Sequence, residues 1–298
     1  MSAVSKFSRK NLSLVLISPS LIILIIVVIV PVIIGLFMSL FRYNLMTMQR
    51  GIPFIGLDNY AASVTSSQFW YSFLNTIWWT FANVAGQILF GLVIALLLNQ
   101  KVKGLLVYKA AILIPWAIPA SVAALNWMWL LHPDFGLVNY LALKLGFISD
   151  SIPWLGHPVW ARIWVVIARV WKEFPLSTII FLAALQQIPR SLYEAAEMDG
   201  ASPWKCFLNI TLPFLRSSIV VASTLITIWT FNSFNMIWVM TKGGPVNSTE
   251  ILSTQIYNVA FSRYNFGLAS AQSLIMVSIL LIIIGFYLYK VEGKNLSE

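Results

Sequence analysis

Six stretches of the chain are long and apolar enough to cross a membrane as helices, and polar or glycine- and proline-rich segments separate them. They cover about 12–40, 70–98, 110–131, 159–188, 217–240 and 266–289. A spanning helix needs roughly 20 predominantly apolar residues, and each stretch supplies them. The first is too long for the apolar core of a secretion signal, and no small-residue cleavage site follows it. It therefore reads as a first span, with Pro19 near its start and Pro31 as an expected kink. Pro115 and Pro119 interrupt the third stretch and predict a bent helix. Between the spans, FIGLDNY at 54–60 reads as a turn and a short amphipathic piece. Segment 132–158 reads as loops and short helices, and 247–265 as a polar outer-face segment. The pattern predicts an all-α integral membrane protein of six transmembrane helices, folded as one domain over 1–298.

Polar residues inside the spans are the next signal. Asn75, Trp79, Asn83 and Gln87 recur every four residues in the second span, which places them on one slowly drifting face. Amides facing lipid are costly, so this face is expected to look into the bundle, as hydrogen-bonding links between helices or as substrate contacts. The fourth span carries Arg169, Lys172 and Glu173 deep in an apolar run, where ionisable groups are functional candidates. Arg169 and Glu173 are four apart and can pair. Lys172 and Glu173 are adjacent and are not expected to share a helix face. An internal ion pair and a role along a transport path both remain open. In the fifth span Thr224, Thr227, Phe231, Asn235 and Trp238 fall at helical spacing, with Asn232 beside them. Amides and threonines can bond sugar hydroxyls and aromatics can cover a sugar's C–H face. The same residues also fit aromatic packing with interfacial tryptophan anchors.

Composition agrees with the membrane reading. The chain has 298 residues, 59% of them hydrophobic and 10% charged, against about a quarter charged in soluble domains. The net charge of +9 does not indicate nucleic acid, because the basic residues cluster at the ends of apolar spans. With six spans both termini lie on one side. That side carries Lys6, Arg9, Lys10, Lys101, Lys103, Lys109, Arg190, Lys205, Arg216, Lys290 and Lys294. The other carries Arg42, Arg50, Lys144, Arg162, Lys242 and Arg263. The excess on the terminal side predicts cytoplasmic termini. The single cysteine, Cys206, allows no internal disulfide, and His132 and His157 lack ligand spacing, so no metal site is expected. No nucleotide-binding, zinc-protease or nucleophile-elbow pattern occurs. Thr241-Lys242-Gly243-Gly244-Pro245 is not a phosphate loop, since no Gly-Lys-Ser/Thr follows. The chain is not expected to be an enzyme.

One polar stretch stands apart, EAAEMDGASPWKCFLNITLP at 194–213. Ser191 and Glu194 have the spacing of a capping box, with Pro189 just outside. Gly200 is expected to close a short helix, and Ser202-Pro203 to open a second. Pro213 ends the excursion or begins the next span. The expectation is a helix, a tight turn and a helix outside the membrane, over 189–213.

This stretch resembles the EAA loop of ABC importer permeases: Glu194-Ala195-Ala196, three residues, Gly200, nine residues, Ile210, one residue, Leu212-Pro213. FIGLDNY, LNT at 74–76, LNWMWLL at 125–131, VWKEFP at 170–175, EAAEMDGAS at 194–202 and TKGGP at 241–245 together resemble the carbohydrate-importer branch, which includes the larger maltose permease and the glycerol-phosphate permeases. The chain looks like the six-span form, without the extra N-terminal spans and outer domain of the larger maltose permease.

The resemblance implies a type I importer bundle in a bacterial or archaeal cytoplasmic membrane. A second permease subunit, usually a related sibling, would complete the pathway. Two cytoplasmic ATPase subunits would grip the loops, and an extracellular or periplasmic binding protein would deliver a sugar or sugar derivative. ATP and magnesium would sit on the ATPases, leaving this chain no cofactor. The resemblance implies that Glu194, Ala195, Ala196, Asp199, Gly200, Ile210, Leu212 and Pro213 form the coupling element. The substrate-path candidates read from the spans are Asn83, Arg169, Glu173, Phe231, Asn232, Asn235 and Trp238. The competing class is a gradient-driven secondary transporter of small polar solutes, with Arg169 and Glu173 as a relay.

Overall fold

The structure, a computed structural model, describes residues 9–100 and 104–295, all helices, turns and loops. Of the basic residues used for orientation, Lys6, Lys101 and Lys103 lie outside the described residues. Among the described residues the only β-type pairings are two isolated bridges, Phe41 with Phe54 and Asn44 with Asn265. The backbone falls into two compact units. One comprises residues up to 66 together with 256–278, the other 67–255 together with 279 onward.

The first unit begins with α1 (Arg9–Leu24), a π-turn over Ile25–Ile29 and α2 (Val30–Ser39). The π-turn lies just before Pro31, the expected kink, and the Val30 amide reaches back five residues to the Ile25 carbonyl. Proline lacks the N–H that continues the ladder, and a wider turn beside it absorbs the mismatch. FIGLDNY forms the expected turn and opens α3 (Asp58–Thr65). Buried Asn59 donates to the Ser39 carbonyl at 2.8 Å and the Phe41 carbonyl at 3.0 Å, satisfying orphan carbonyls at the end of α2.

The second unit is organised on α4 (Ser67–Leu98) and α8 (Pro158–Leu185). Arg162 with Asn75, Arg169 over Trp79, Val170 against Gly86, and Phe174 against Phe90 succeed one another in the same direction along both helices, so α4 and α8 are parallel. The third apolar stretch is broken as expected. α5 (Leu105–Ala117) and α6 (Ala120–Leu130) meet at 94°. Ile118, held extended before Pro119, makes the corner. After α7 (Leu137–Lys144) comes α8, followed by α9 (Arg190–Met198) and α10 (Pro203–Cys206). A π-turn over Phe207–Thr211 leads into α11 (Leu212–Phe231), again just before a proline, Pro213.

The fifth stretch differs from expectation. It begins at Pro203 rather than near 217, and it stops at Phe231 instead of running to 240. Asn232 and Ser233 break it, and α12 (Asn235–Thr241) restarts it. The Asn232 amide donates to the Ile228 carbonyl at 2.9 Å, a local bond that competes with helix propagation. α13 (Leu252–Tyr257) and a π-turn over Asn258–Ser262 precede α14 (Phe266–Asn295), which runs from the first unit into the second. The expected outer-face segment 247–265 is therefore largely helical, and its Ser248, Thr249 and Glu250 are buried rather than displayed.

Four described helical stretches are long and apolar enough to cross a membrane, and the bent α5–α6 pair makes a fifth. The remaining expected span, α8, is 28 residues long, but every 18-residue window in it contains Arg169, Lys172 and Glu173. Length and apolarity alone thus do not give six.

Candidate functional site

The exposed helix-turn-helix is built by local chemistry. α9 starts at Arg190 with Pro189 as its N-cap residue and no side-chain capping bond. The expected Ser191–Glu194 capping box is therefore corrected: the N-cap is Pro189, two residues earlier, so Ser191 lies inside the first turn. The C-terminus follows the sequence. Gly200 has φ +76°. The Gly200 amide bonds the Glu197 carbonyl at 3.0 Å, and the Ala201 amide bonds the Ala196 carbonyl at 2.9 Å. These two bonds make a Schellman closure, which needs a left-handed residue at this position. Two residues later the Ser202 hydroxyl accepts from the Lys205 amide and opens α10.

Glu194, Ala195, Glu197, Met198, Asp199 and Gly200 are exposed, and Ala196 is half-buried. The inner side of α9 is anchored: Tyr193 shares a 2.8 Å hydrogen bond with Thr211 and packs with Ile210 against a core of Leu185, Ile188 and Leu215. Leu212 and Pro213 are the first residues of α11, so Pro213 opens that helix, ten residues inside the span that starts at Pro203, rather than ending the excursion. The eight loop residues thus divide into an outward face, Glu194 to Gly200, and a seat, Ile210 to Pro213. Cys206, the last residue of α10, is buried.

A second constellation lies where α4, α8 and α11 meet. The four residues spaced along the second span, Asn75, Trp79, Asn83 and Gln87, are all buried. Trp79 donates to Ser233 at 2.8 Å, Asn83 to the Trp79 carbonyl at 2.9 Å, and the Ser177 hydroxyl to the Gln87 carbonyl at 2.7 Å. Thr80 Oγ1, Asn83 Oδ1, Gln87 Nε2, Arg169 Nε and Thr230 Oγ1 are buried without a hydrogen-bond partner. Buried polar atoms are almost always paired, so five orphans on three facing helices mark a polar seam rather than an ordinary core.

The ion pairing differs from the expected Arg169–Glu173 bridge. Glu173 binds its neighbour Lys172 at 3.0 Å, because the flexible lysine stem folds along the helix surface to reach it. Arg169 Nη2 donates to the Trp229 carbonyl at 3.3 Å, and its guanidinium lies 5.9 Å from the Trp79 ring centre. Phe231 is buried, Asn232 and Asn235 are exposed, and Trp238 stacks on Phe234 at 5.3 Å. The break after Phe231 divides the expected fifth-span stripe: Thr224, Thr227 and Phe231 stay on α11, while Asn235 and Trp238 belong to α12.

Two residues that sequence reasoning passed over, Arg162 and Glu250, tie the 241–250 segment to the bundle. Arg162 Nε donates to the Ser248 carbonyl at 2.6 Å, and its Nη2 to Asn75 Oδ1 and the Tyr71 hydroxyl, both at 3.1 Å. Buried Glu250 accepts from the Gln68 amide and, at 3.3 Å, from the Ser72 hydroxyl. Asn75 donates to the Glu250 carbonyl at 3.0 Å. A signal existed, since Glu250 is the only acidic residue between Asp199 and Glu292. Glu250→Ala is expected to lower stability by about 1–3 kcal/mol, because it strands the Gln68 and Ser72 donors. The thermal unfolding midpoint of the detergent-purified protein measures this, and an unchanged midpoint would contradict it. Among the described residues no three His, Cys, Asp or Glu side chains are grouped to hold a metal.

Comparison with known proteins adds a family. Residues 87–296 match the model described as "binding-protein-dependent transport system inner membrane component". The chain is 37% identical to the trehalose/maltose transport system permease protein MalF of Thermococcus litoralis, over 94% of this chain and 92% of that one. It is 36% identical to the sulfoquinovosyl glycerol transport system permease protein SmoG of Agrobacterium fabrum, over 95% and 91%. It also resembles, with a TM-score of 0.80 and 25% identity, a chain of a bacterial alginate ABC transporter solved with an alginate pentasaccharide-bound periplasmic protein, covering 94% of this chain and 93% of that one.

Proposed function

Because the chain belongs to the family of binding-protein-dependent transport inner membrane components, we propose that it is the permease subunit of an ABC importer for a sugar or sugar derivative. The observation that carries this is the likeness over nearly the full length to permeases named for trehalose/maltose and sulfoquinovosyl glycerol transport. The likeness to an importer solved with its loaded periplasmic protein supports delivery by a binding protein. The chain works as one transmembrane permease domain. It has six spans when α8 is counted with the five apolar ones. A helix whose charged residues face a polar seam rather than lipid can cross despite them. Its termini lie in the cytoplasm, and so does the 189–213 loop.

In this reading two cytoplasmic ATPases hold the loops of this subunit and of a second permease. ATP and magnesium belong to those ATPases, and this chain performs no catalysis. Closure of the ATPases pushes on the outward face of α9 through Glu194, Ala195, Ala196 and Asp199. Gly200 fixes the angle at which α9 meets α10. Ile210, Leu212 and Pro213 pass the push into α11, one wall of the polar seam. The seam is the substrate path: Asn83, Arg169 and Glu173 line it with polar groups, and Phe231, Asn232, Asn235 and Trp238 mark its mouth at the helix break. The orphaned amides and hydroxyls there find partners in sugar hydroxyls when substrate passes.

Co-purification of the tagged chain from its native membrane tests the assembly. An ATPase and a second permease are the expected companions, and a folded chain recovered alone would remove the coupling role. At the mouth, Asn235→Ala is expected to raise the sugar concentration for half-maximal uptake about fivefold, the equivalent of one neutral hydrogen bond of ~1 kcal/mol. An unchanged concentration dependence would take Asn235 out of the path.

A further inference from the structure

Charge is unbalanced in the middle of α8, where Lys172 is buried and Arg169 and Glu173 are half-buried. Lys172 and Glu173 neutralise one another at 3.0 Å, but among the described residues no carboxylate oxygen lies within 4.0 Å of the Arg169 guanidinium. Glu173, one turn further along the same helix, already holds the lysine. The three charges of this segment sum to one positive. Of the donors on Arg169, one reaches the Trp229 carbonyl, while the Nε hydrogen is buried with no acceptor. The Trp79 ring below the guanidinium offers its face but no lone pair. On the neighbouring helices α4 and α11 the Thr80 and Thr230 hydroxyls and the Asn83 amide oxygen are likewise buried without partners.

A cation partly withdrawn from water without a carboxylate of its own is costly, and hydrogen bonds alone do not cancel its charge. A neutral sugar would satisfy the open N–H and leave the charge. A carboxylate, sulfonate or phosphate satisfies both, because its oxygens match the planar fork of a guanidinium.

We propose that Arg169 reads a negative charge on the cargo, so that the transported sugar carries a carboxylate, sulfonate or phosphate group, and Arg169 is the residue that sets this specificity. The inference rests on the sugar-permease reading above and narrows its substrate class.

The test uses the whole transporter, with its second permease, ATPases and binding protein, in proteoliposomes. Three matched probe pairs are supplied: cellobiose and cellobiouronic acid, maltose and maltose 6′-phosphate, and glucose and 6-sulfoquinovose. ATP-driven uptake is expected for at least one anionic member, about tenfold or more above its neutral partner. Arg169→Gln is expected to reduce that uptake about tenfold, the effect of ~1.4 kcal/mol, with the complex still assembled. Arg169→Lys keeps the charge and is expected to recover part of it. Uptake confined to neutral members overturns the proposal and leaves the sugar-permease reading standing. Equal loss of neutral and anionic uptake in Arg169→Gln also overturns it. If Arg169→Gln does not assemble, Arg169→Lys must assemble and keep the anionic preference. Failure of both to assemble makes Arg169 an anchor between helices or subunits and overturns the proposal. No ATP-driven uptake of any probe counts against the sugar-permease reading and against this proposal with it.

Discussion

Gly200→Val is expected to cut ATP-driven uptake about tenfold or more while the chain still enters the membrane and the ATPases still hydrolyse ATP. Gly200 closes α9 at φ +76°, and no atom lies within 4 Å of where its Cβ would sit. A side chain there meets no clash, so the penalty lies in the backbone. A left-handed conformation costs an L-residue roughly 1–2 kcal/mol, and more for a β-branched one. Valine therefore favours opening the turn, with loss of the Gly200–Glu197 and Ala201–Ala196 bonds. That re-aims α9 and the outward Glu194, Ala195 and Asp199 relative to the Ile210–Pro213 seat. Because α9 stays anchored by Tyr193 to Thr211, folding survives and coupling does not. Gly200→Asn separates the causes: asparagine tolerates the left-handed region, and near-normal uptake is expected. Uptake and ATP hydrolysis measured together in proteoliposomes check the pair. Normal uptake by Gly200→Val would remove the turn from the coupling path.

The largest expected effect on stability is at the α4–α8 contact. A Cβ at Gly91 would lie 2.9 Å from the Ser177 Cβ and 3.1 Å from the Thr178 backbone nitrogen, and closer still to the Ser177 hydroxyl oxygen. That hydroxyl is already committed to the Gln87 carbonyl at 2.7 Å and the Phe174 carbonyl at 2.8 Å, so it has no easy retreat. Gly91→Val must push the two central helices apart or distort α8. Overpacking of this kind costs about 1–3 kcal/mol, and lost hydrogen bonds add to it. The thermal unfolding midpoint in detergent should fall clearly, with less assembled complex recovered. Gly285→Ala is the matched control: nothing lies within 4 Å of its Cβ, and no change is expected. A Gly91→Val protein as stable as the parent would mean that close approach of α4 and α8 is not what holds this unit.

Some of this was legible in the sequence because it is local. Pro119 fixes the corner between α5 and α6 by constraining the residue before it. Gly200 and Ser202 carry the turn between α9 and α10 in their own backbone and side-chain preferences. The four-residue spacing of Asn75, Trp79, Asn83 and Gln87 places them on one helix face in any context, and lipid makes that face turn inward. Other features gave no local sign. No glycine or proline marks the break after Phe231; an asparagine bonding its own helix ends α11. Arg169 and Glu173 have ideal pairing spacing, yet the adjacent lysine reaches the carboxylate first. The polar string 247–250 reads as a surface, but Arg162 and Asn75 draw it into the bundle.

By itself, the sequence determined the membrane class, most of the apolar segments and the turn between α9 and α10. Hydropathy and turn chemistry act over a few residues, so they need no partner to be read. Only the tertiary structure decided that Glu250 meets Gln68, 182 positions away, and that α4 and α8 pack in parallel. It also decided that Arg169 faces a tryptophan ring and a carbonyl rather than an acid. Those outcomes depend on the register at which long helices pack, and that register is set by side chains from several spans together rather than by any one of them.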